Sequence, residues 1–347
     1  MKKFLTLMLI FTLTISMGLV GCGSSDEPAP EPTPAPETQG PTTDIKVGMV
    51  TDVGGVNDNS FNQSAWEGLQ KVSKDTGAEV DFAQSTGDVD YNPNLNDFVK
   101  NGWDLTWGIG FMMADAVKDV ALQNPESNLA IIDGYVDAPN VVSVSFKEHE
   151  GSFLVGVVAG LTTKTNKIGF VGGMDIPVIV KFEEGFKAGV KAVNPDAEVL
   201  VNYTGAFDKS ELGKAAAATM YDNGADIIFH AAGSTGDGVF TEAISRKNAG
   251  QDVWVIGVDK DQSLTFGNDV TLTSMMKRVD VAVYDISKSL IDGKFEAGTA
   301  VELGLVENGV GLPENNPNVS EEILLKVKEY KDKIINGEII VPSEKAE

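Results

Sequence analysis

Cysteine occurs once in the 347 residues, at Cys22, and histidine only twice. A lone cysteine excludes an intrachain disulfide and any cluster of thiolate metal ligands. His149-Glu150 opens like the zinc motif H-E-x-x-H, but Phe153 stands where its second histidine belongs. His230 closes an apolar run and reads as a packed or turn-bonded side chain. No G-x-S-x-G elbow and no G-x-x-x-x-G-K-[ST] loop occurs, so two common routes to acyl and phosphoryl chemistry are missing. Positive charge is scarce as well: 27 Lys and Arg stand against 51 Asp and Glu, a net charge of −24. That balance argues against nucleic acid, whose binding is driven by phosphate neutralisation, and disfavours strongly anionic ligands. After residue 20 no apolar run is long enough to span a bilayer.

What is present begins with an export signal. Lys2 and Lys3 form a basic start, Phe4 to Val20 an apolar stretch of signal length, and Leu19-Val20-Gly21-Cys22 resembles a lipoprotein cleavage box. Removing residues 1–21 takes both lysines and leaves −26. Cys22 is thereby expected to carry acyl chains such as palmitate, tethering the protein outside the cytoplasmic membrane. Residues 22–43 form a linker with six of the fourteen prolines. Its proline-rich part reaches on the order of 45 Å at ~3.1 Å per residue. Such a spacer favours a single-membrane cell, where a receptor must clear the surface.

From Ile45 onward, short β-rich runs alternate with amphipathic helical runs, which predicts an α/β fold with doubly wound parallel sheets. Strands are expected at 80–83, 105–108, 129–133 and 141–146. After a long helix near 151–161 a second series follows, with strands at 167–171, 198–203, 226–230 and 253–258. Pro177 suits the first turn of the helix between its first two strands. Asp208 with Glu211, like Ser60 with Gln63, has capping-box spacing. A strand at 271–275 and a last one at 339–341, after a helix closed by Gly337, complete the reading. The length of each series is that of one lobe. The expected division is 44–146 plus about 271–300 for the first lobe and 147–270 plus about 301–347 for the second. Two such lobes behind a lipid anchor suggest a bilobal binding protein that encloses its ligand between strand ends.

Candidate site residues collect at those ends. The stretch Thr51 to Gln63 turns from the first strand into the first helix, the rim where α/β sheets hold ligands. Asp52, Asp58 and Asn62 surround Phe61 there. Asp115, Asp259 and Gly233 lie at later strand ends or the loops after them. Ionised carboxylates suit a ligand rich in hydroxyl donors. Phe61 and Phe207 sit on polar rims, where facing rings stack on a flat ligand. Lys277, read as the start of a helix, needs a compensating partner against the macrodipole. Taken singly, each is as well explained as a cap, a core ring or a surface lysine. The glycines of 233–238 suit a tight turn with close ligand approach better than a phosphate cradle.

The stretch Val50-Thr51-Asp52-Val53-Gly54-Gly55 followed by Asn57-Asp58-Asn59-Ser60-Phe61-Asn62-Gln63 resembles the opening motif of the basic-membrane-protein (BMP) lipoproteins, the PnrA-like purine nucleoside receptors of ABC importers. Gly110 to Ala116, Phe170 to Ile179, Asp226 to Asp237, Gly257-Val258-Asp259 and Thr273 to Asp280 continue the likeness across residues 44–342. The resemblance implies a type I periplasmic-binding-protein fold that acts by binding, not as an enzyme, with no cofactor and no metal. Phe61 and Phe207 would sandwich the base; Asp52, Asp58 and Asn62 would contact its polar edge or the nearby ribose. Asp115, Asp259 and Lys277 would hold ribose hydroxyls, and Gly233 would admit close backbone approach. The implied partners are a purine nucleoside, the permease subunits and, through Cys22, the membrane, with the receptor itself a monomer. A sugar or autoinducer-type binder on the same fold, a metal-assisted nucleoside hydrolase and a surface antigen with a vestigial cleft remain alternatives.

Overall fold

The computed structural model describes residues 43–345. The signal segment, Cys22 and all of the linker but Thr43 lie outside the described residues. The first sheet is built from β1 (Lys46–Thr51), β2 (Glu79–Gln84), β3 (Leu105–Ile109), β4 (Asn128–Ile132), β5 (Val141–Phe146) and β11 (Ala300–Leu303). Their order is β11-β5-β4-β3-β1-β2, and every pairing is parallel. The second sheet holds β6 (Lys167–Gly172), β7 (Glu198–Tyr203), β8 (Ile227–Ala231), β9 (Trp254–Asp259), β10 (Thr271–Lys277) and β12 (Val310–Gly311). Its order, β12-β10-β9-β8-β6-β7, repeats that of the first, with only the two-residue β12 antiparallel. Continuous apolar strands buried on both faces, such as the core of β1 and all of β3, are what two-sided helical cover requires.

The connecting helices are α1 (Phe61–Thr76), α2 (Tyr91–Lys100) and α3 (Ala114–Gln123) in the first lobe. α4 (Glu148–Thr162) leads to α5 (Pro177–Val193), α6 (Ser210–Asp222), α7 (Thr235–Asn248) and α8 (Ser263–Phe266) in the second. α4 is buried along most of its length because α5 lies directly on it. Glycines permit that approach: a Cβ on Gly189 would stand 2.0 Å from the Phe153 carbonyl oxygen, and one on Gly156 2.3 Å from that of Phe186. Phe170, Phe186 and Phe229 fill the core beneath, with centroids 5.6 and 5.0 Å from Phe229. α10 (Glu321–Ile335) covers the other side of α4, and Tyr330 meets Phe153 at 5.5 Å.

The chain crosses between the sheets three times: after β5, after β10, and between β11 and β12. The returning segment therefore departs from the expected 271–300. β10 stays in the second sheet beside β9, and only α9 (Val279–Ile291) moves to the first lobe, where it packs on α1. β11, placed at 301 or later in the second lobe by expectation, joins β5 in the first sheet. An apolar run fixes the existence of a strand and says nothing of which sheet receives it. The last strand expected at 339–341 is absent; the segment is irregular, with Val341 buried against the core. The helix before it does close at Gly337, at φ +73°.

Candidate functional site

The turn after β1 is held by its own carboxylates. Asp58 accepts the backbone N–H groups of Ser60 (2.9 Å), Asn62 (2.9 Å) and Gln63 (3.0 Å), so it satisfies the free donors at the N-terminus of α1. Ser60 occupies the cap position but makes no capping bond. Its hydroxyl crosses to the other lobe and donates to Asp259 Oδ2. The capping box expected at Ser60 and Gln63 thus gives the right helix start by a different agent. That expected at Asp208 does not form either: α6 opens at Ser210 behind Lys209. Asn62 donates through Nδ2 to Asp52 Oδ1 (2.8 Å) and Asp58 Oδ2 (3.0 Å), and the Gly54 N–H joins Asp52 Oδ1 at 2.9 Å.

Lys277 ends β10 rather than opening a helix, and it is 1 % exposed. Its ammonium lies 2.6 Å from Asp133 Oδ2 and 2.9 Å from Glu148 Oε1, so the compensating partner expected for it is a pair. The rings of Phe61, Phe146 and Phe182 stand 5.1, 5.0 and 5.6 Å from the nitrogen. Burial draws the lysine down, but Asp133, Glu148 and Asp259 outweigh it and leave its pKa raised. Burial also pushes Asp52 and Asp133 up to about 6 and Asp259 to about 7, the last two against the pull of Lys277. Asp58 is raised by burial too, with the amides of α1 opposing.

Between the lobes these groups line a cleft with about 610 Å³ of empty space, the open solvent at its mouth included. Asp52, Asp58, Phe61, Asn62, Phe207, Gly233, Asp259 and Lys277 all line it. Asp115 does not. After β3 the chain makes a tight turn over Phe111–Met113 and offers Gly110, Phe111 and Met112 to the cavity, leaving Asp115 exposed one turn along. The carboxylate that sequence reasoning missed is Asp133, just past the end of β4. It occupies in the first sheet the place that Asp259 occupies in the second, since β4 and β9 hold the same rank in their strand orders. Both adopt left-handed backbone, φ +66° and +64°, a costly conformation that concentrates at functional positions. An aspartate closing an apolar strand was the available signal. Ile176, Val178, Ile179 and Phe182 supply an apolar wall from the start of α5. Phe207 is seated by Gly173, where a Cβ would come within 2.2 Å of its ring.

Further bonds join the lobes around the mouth. Asn59 donates to Asp237 (2.9 Å), Gln262 donates to the Asn59 carbonyl (3.0 Å), and Lys260 pairs with Glu67. Among the described residues, no helix is long and apolar enough to cross a membrane, and no three His, Cys, Asp or Glu gather as a metal site.

Two like-ordered sheets with a cleft between them define a type I periplasmic solute-binding protein. An ABC transporter solute-binding protein from Aeropyrum pernix K1 superposes with a TM-score of 0.79 at 31 % identity, over 86 % of this chain and 94 % of that one. Another from Conexibacter woesei DSM 14684 gives 0.69 at 26 %, over 86 % and 99 %. Residues 45–345 match the family described as ABC transporter substrate-binding protein PnrA-like, and the chain belongs to that family of binding proteins. Relatives include a CD4+ T-cell-stimulating antigen of Listeria monocytogenes, 49 % identical over 99 % of both chains. The ABC transporter nucleoside-binding protein BmpA of Lactococcus lactis subsp. cremoris is 42 % identical over 99 % of this chain and 100 % of its own. Basic membrane protein A of Borreliella burgdorferi is 38 % identical over 86 % and 88 %.

Proposed function

We propose that this protein is a lipid-anchored receptor that captures a purine nucleoside between its lobes and presents it to an ABC permease. The observation that carries the reading is that Phe61 and Phe207, one ring from each lobe, line one cavity whose polar groups are four aspartates, one asparagine and one lysine, beside an apolar wall. A flat base between the rings gains stacking from both sides. In this reading Asp133, Asp259 and Lys277 would take the ribose hydroxyls, leaving Asp52 and Asn62 for the base. Lys277 also has hydrogens to donate, and its charge is balanced by carboxylates, so the cleft favours an uncharged ligand over an anionic one. The name of the Lactococcus relative supports the same ligand class. Cys22 would supply the tether, with the receptor acting as a monomer outside the cytoplasmic membrane.

The test is calorimetric titration of the purified full-length protein with inosine, guanosine, adenosine, cytidine, ribose and glucose. Tight purine nucleoside binding with ribose silent is the expected outcome. Tight sugar binding, or none at all, would refute it. Asp259→Ala removes a charged acceptor, for which a loss of roughly 10- to 100-fold in nucleoside affinity is expected with the fold retained. Wild-type affinity in that variant would remove Asp259 from the ligand.

A further inference from the structure

The Asp52–Asn62 end of the cavity presents side-chain acceptors, and the one side-chain donor there, the Asn62 amide, is already committed. Asn62 turns its Nδ2 toward Asp52 and Asp58, and that sets the amide orientation, because the reverse would push Oδ1 against two carboxylates. Oδ1 is thereby left buried with no partner among the described residues, on a side chain 1 % exposed. Asp52 spends Oδ1 on Gly54 and Asn62. Its Oδ2 takes no protein donor among the described residues and lies near Gly110, whose added Cβ would stand 3.3 Å from it. Asp58 is committed to the amides of α1. Lys277 does not reach this end with a bond, since Asp133 and Glu148 hold it.

We propose, resting on the nucleoside reading above, that Asp52 and Asn62 select the base by its donors, favouring 6-oxopurine nucleosides, guanosine foremost, over adenosine. Guanine carries two adjacent donors on one edge, N1–H and the 2-amino group, to meet Asp52 Oδ2 and Asn62 Oδ1. Hypoxanthine carries only N1–H. Adenine turns an N1 lone pair to the same place, and a site built to receive donors discriminates strongly against a ligand that leaves its acceptors unpaired.

Acid offers an independent readout. Asp58 and Asp133 are the charged neighbours that raise Asp52 most, the Tyr91 phenol also feels its charge, and Lys277 and Asp259 line the same cavity. Burial raises Asp52 to about 6, and protonation turns its free oxygen from acceptor into a possible donor that matches adenine N1.

The experiment is a titration of the full-length protein at pH 7.5 with guanosine, inosine, 1-methylguanosine and adenosine, repeated at pH 5.5. Guanosine should bind most tightly, with 1-methylguanosine and adenosine weaker by about tenfold or more. The guanosine-to-adenosine ratio should fall at pH 5.5, and in Asp52→Asn it should fall toward one. Adenosine binding as tightly as guanosine at pH 7.5 would overturn the selection while leaving a nucleoside receptor in place. A preserved ratio in Asp52→Asn would overturn the assignment to Asp52; should that variant fail to fold, the wild-type series and its pH dependence still decide. Absence of binding by every nucleoside would overturn both this proposal and the reading beneath it.

Discussion

Gly173→Ala should disarm one wall of the cavity without touching a polar group. A Cβ there would stand 2.2 Å from Phe207 Cε1, 2.4 Å from Cδ1 and 3.1 Å from Cζ. Carbon atoms rest at about 3.5–4.0 Å, so the ring must retreat by more than about 1 Å. The ring is half-buried and on a loop, so it has somewhere to go. The backbone at Gly173 keeps its bonds to Ala231 and Gly205 and does not lie in the left-handed region. The change therefore acts on the ring and spares the sheet. Stacking of a base on an aromatic ring is worth about 1–3 kcal/mol, which becomes roughly a 5- to 150-fold loss of nucleoside affinity. Calorimetry with guanosine measures the loss, and thermal unfolding of the empty protein checks the fold. Gly189→Ala is the contrast: its Cβ meets backbone, 2.0 Å from the Phe153 carbonyl oxygen, and should destabilise the α4–α5 contact itself. Affinity within about twofold of wild type in Gly173→Ala would refute the stacking role of Phe207.

Lys277→Met should destabilise the protein by about 3–5 kcal/mol, because it leaves Asp133 and Glu148 buried without their cation. Urea unfolding measures this, and adding Glu148→Gln should recover part of it; a loss under about 1 kcal/mol would contradict the account. Three buried aspartates should also contribute stability to the empty protein that grows as pH falls from about 7 to about 4, against the opposing contribution of His149 and His230, which burial lowers to about 4. Asp52, Asp133 and Asp259 titrate higher in the folded state than in the unfolded chain. Through them the folded state binds more protons in that window, and their contribution drops as pH rises through it. The difference in melting temperature between wild type and Asp259→Asn, followed from pH 4.5 to 8, isolates the share of Asp259, and a wild-type advantage that grows with pH would run against it.

The alternation of apolar runs made both lobes legible, and the strand ends made most of the cavity legible, because the parallel sheet forces its loops and helix starts onto one rim. What escaped the sequence was decided by neighbours far along the chain. Asp115 and Asp133 both follow strands, yet the turn over Phe111–Met113 sends one to solvent while the left-handed backbone at Asp133 keeps the other inside. The turn has no local composition signal, and Asp133 has only that of an aspartate closing an apolar strand. The sheet that receives β10 is hidden for a like reason, since its apolar pattern fits either sheet and only pairing with β9 decides. Ser60 is the instructive case. Its spacing to Gln63 marks the helix start correctly, but the capping work is done by Asp58 two residues earlier, which frees the hydroxyl for Asp259.

That freed hydroxyl bears on how closure depends on ligand. In the closed arrangement four aspartates, Asp52, Asp58, Asp133 and Asp259, share the cavity with a single lysine. Asp58 is compensated by the α1 amides and Asp133 by Lys277, while Asp259 has Ser60 from the opposite lobe. Asn62 Oδ1 and Asp133 Oδ1 remain buried without protein donors among the described residues. Each unmatched acceptor withdrawn from water costs about 1–3 kcal/mol. The bonds at the mouth, Asn59 to Asp237 and Lys260 to Glu67, are partly exposed and repay little of that. An empty cleft is thus penalised on closing at the very atoms that a hydroxyl-rich, N–H-bearing ligand would satisfy. A ligand lacking those donors would stack between the rings and still leave the penalty standing. On the proposed reading, the ligand's hydrogen-bond donors would relieve this cost and its apolar surface would not.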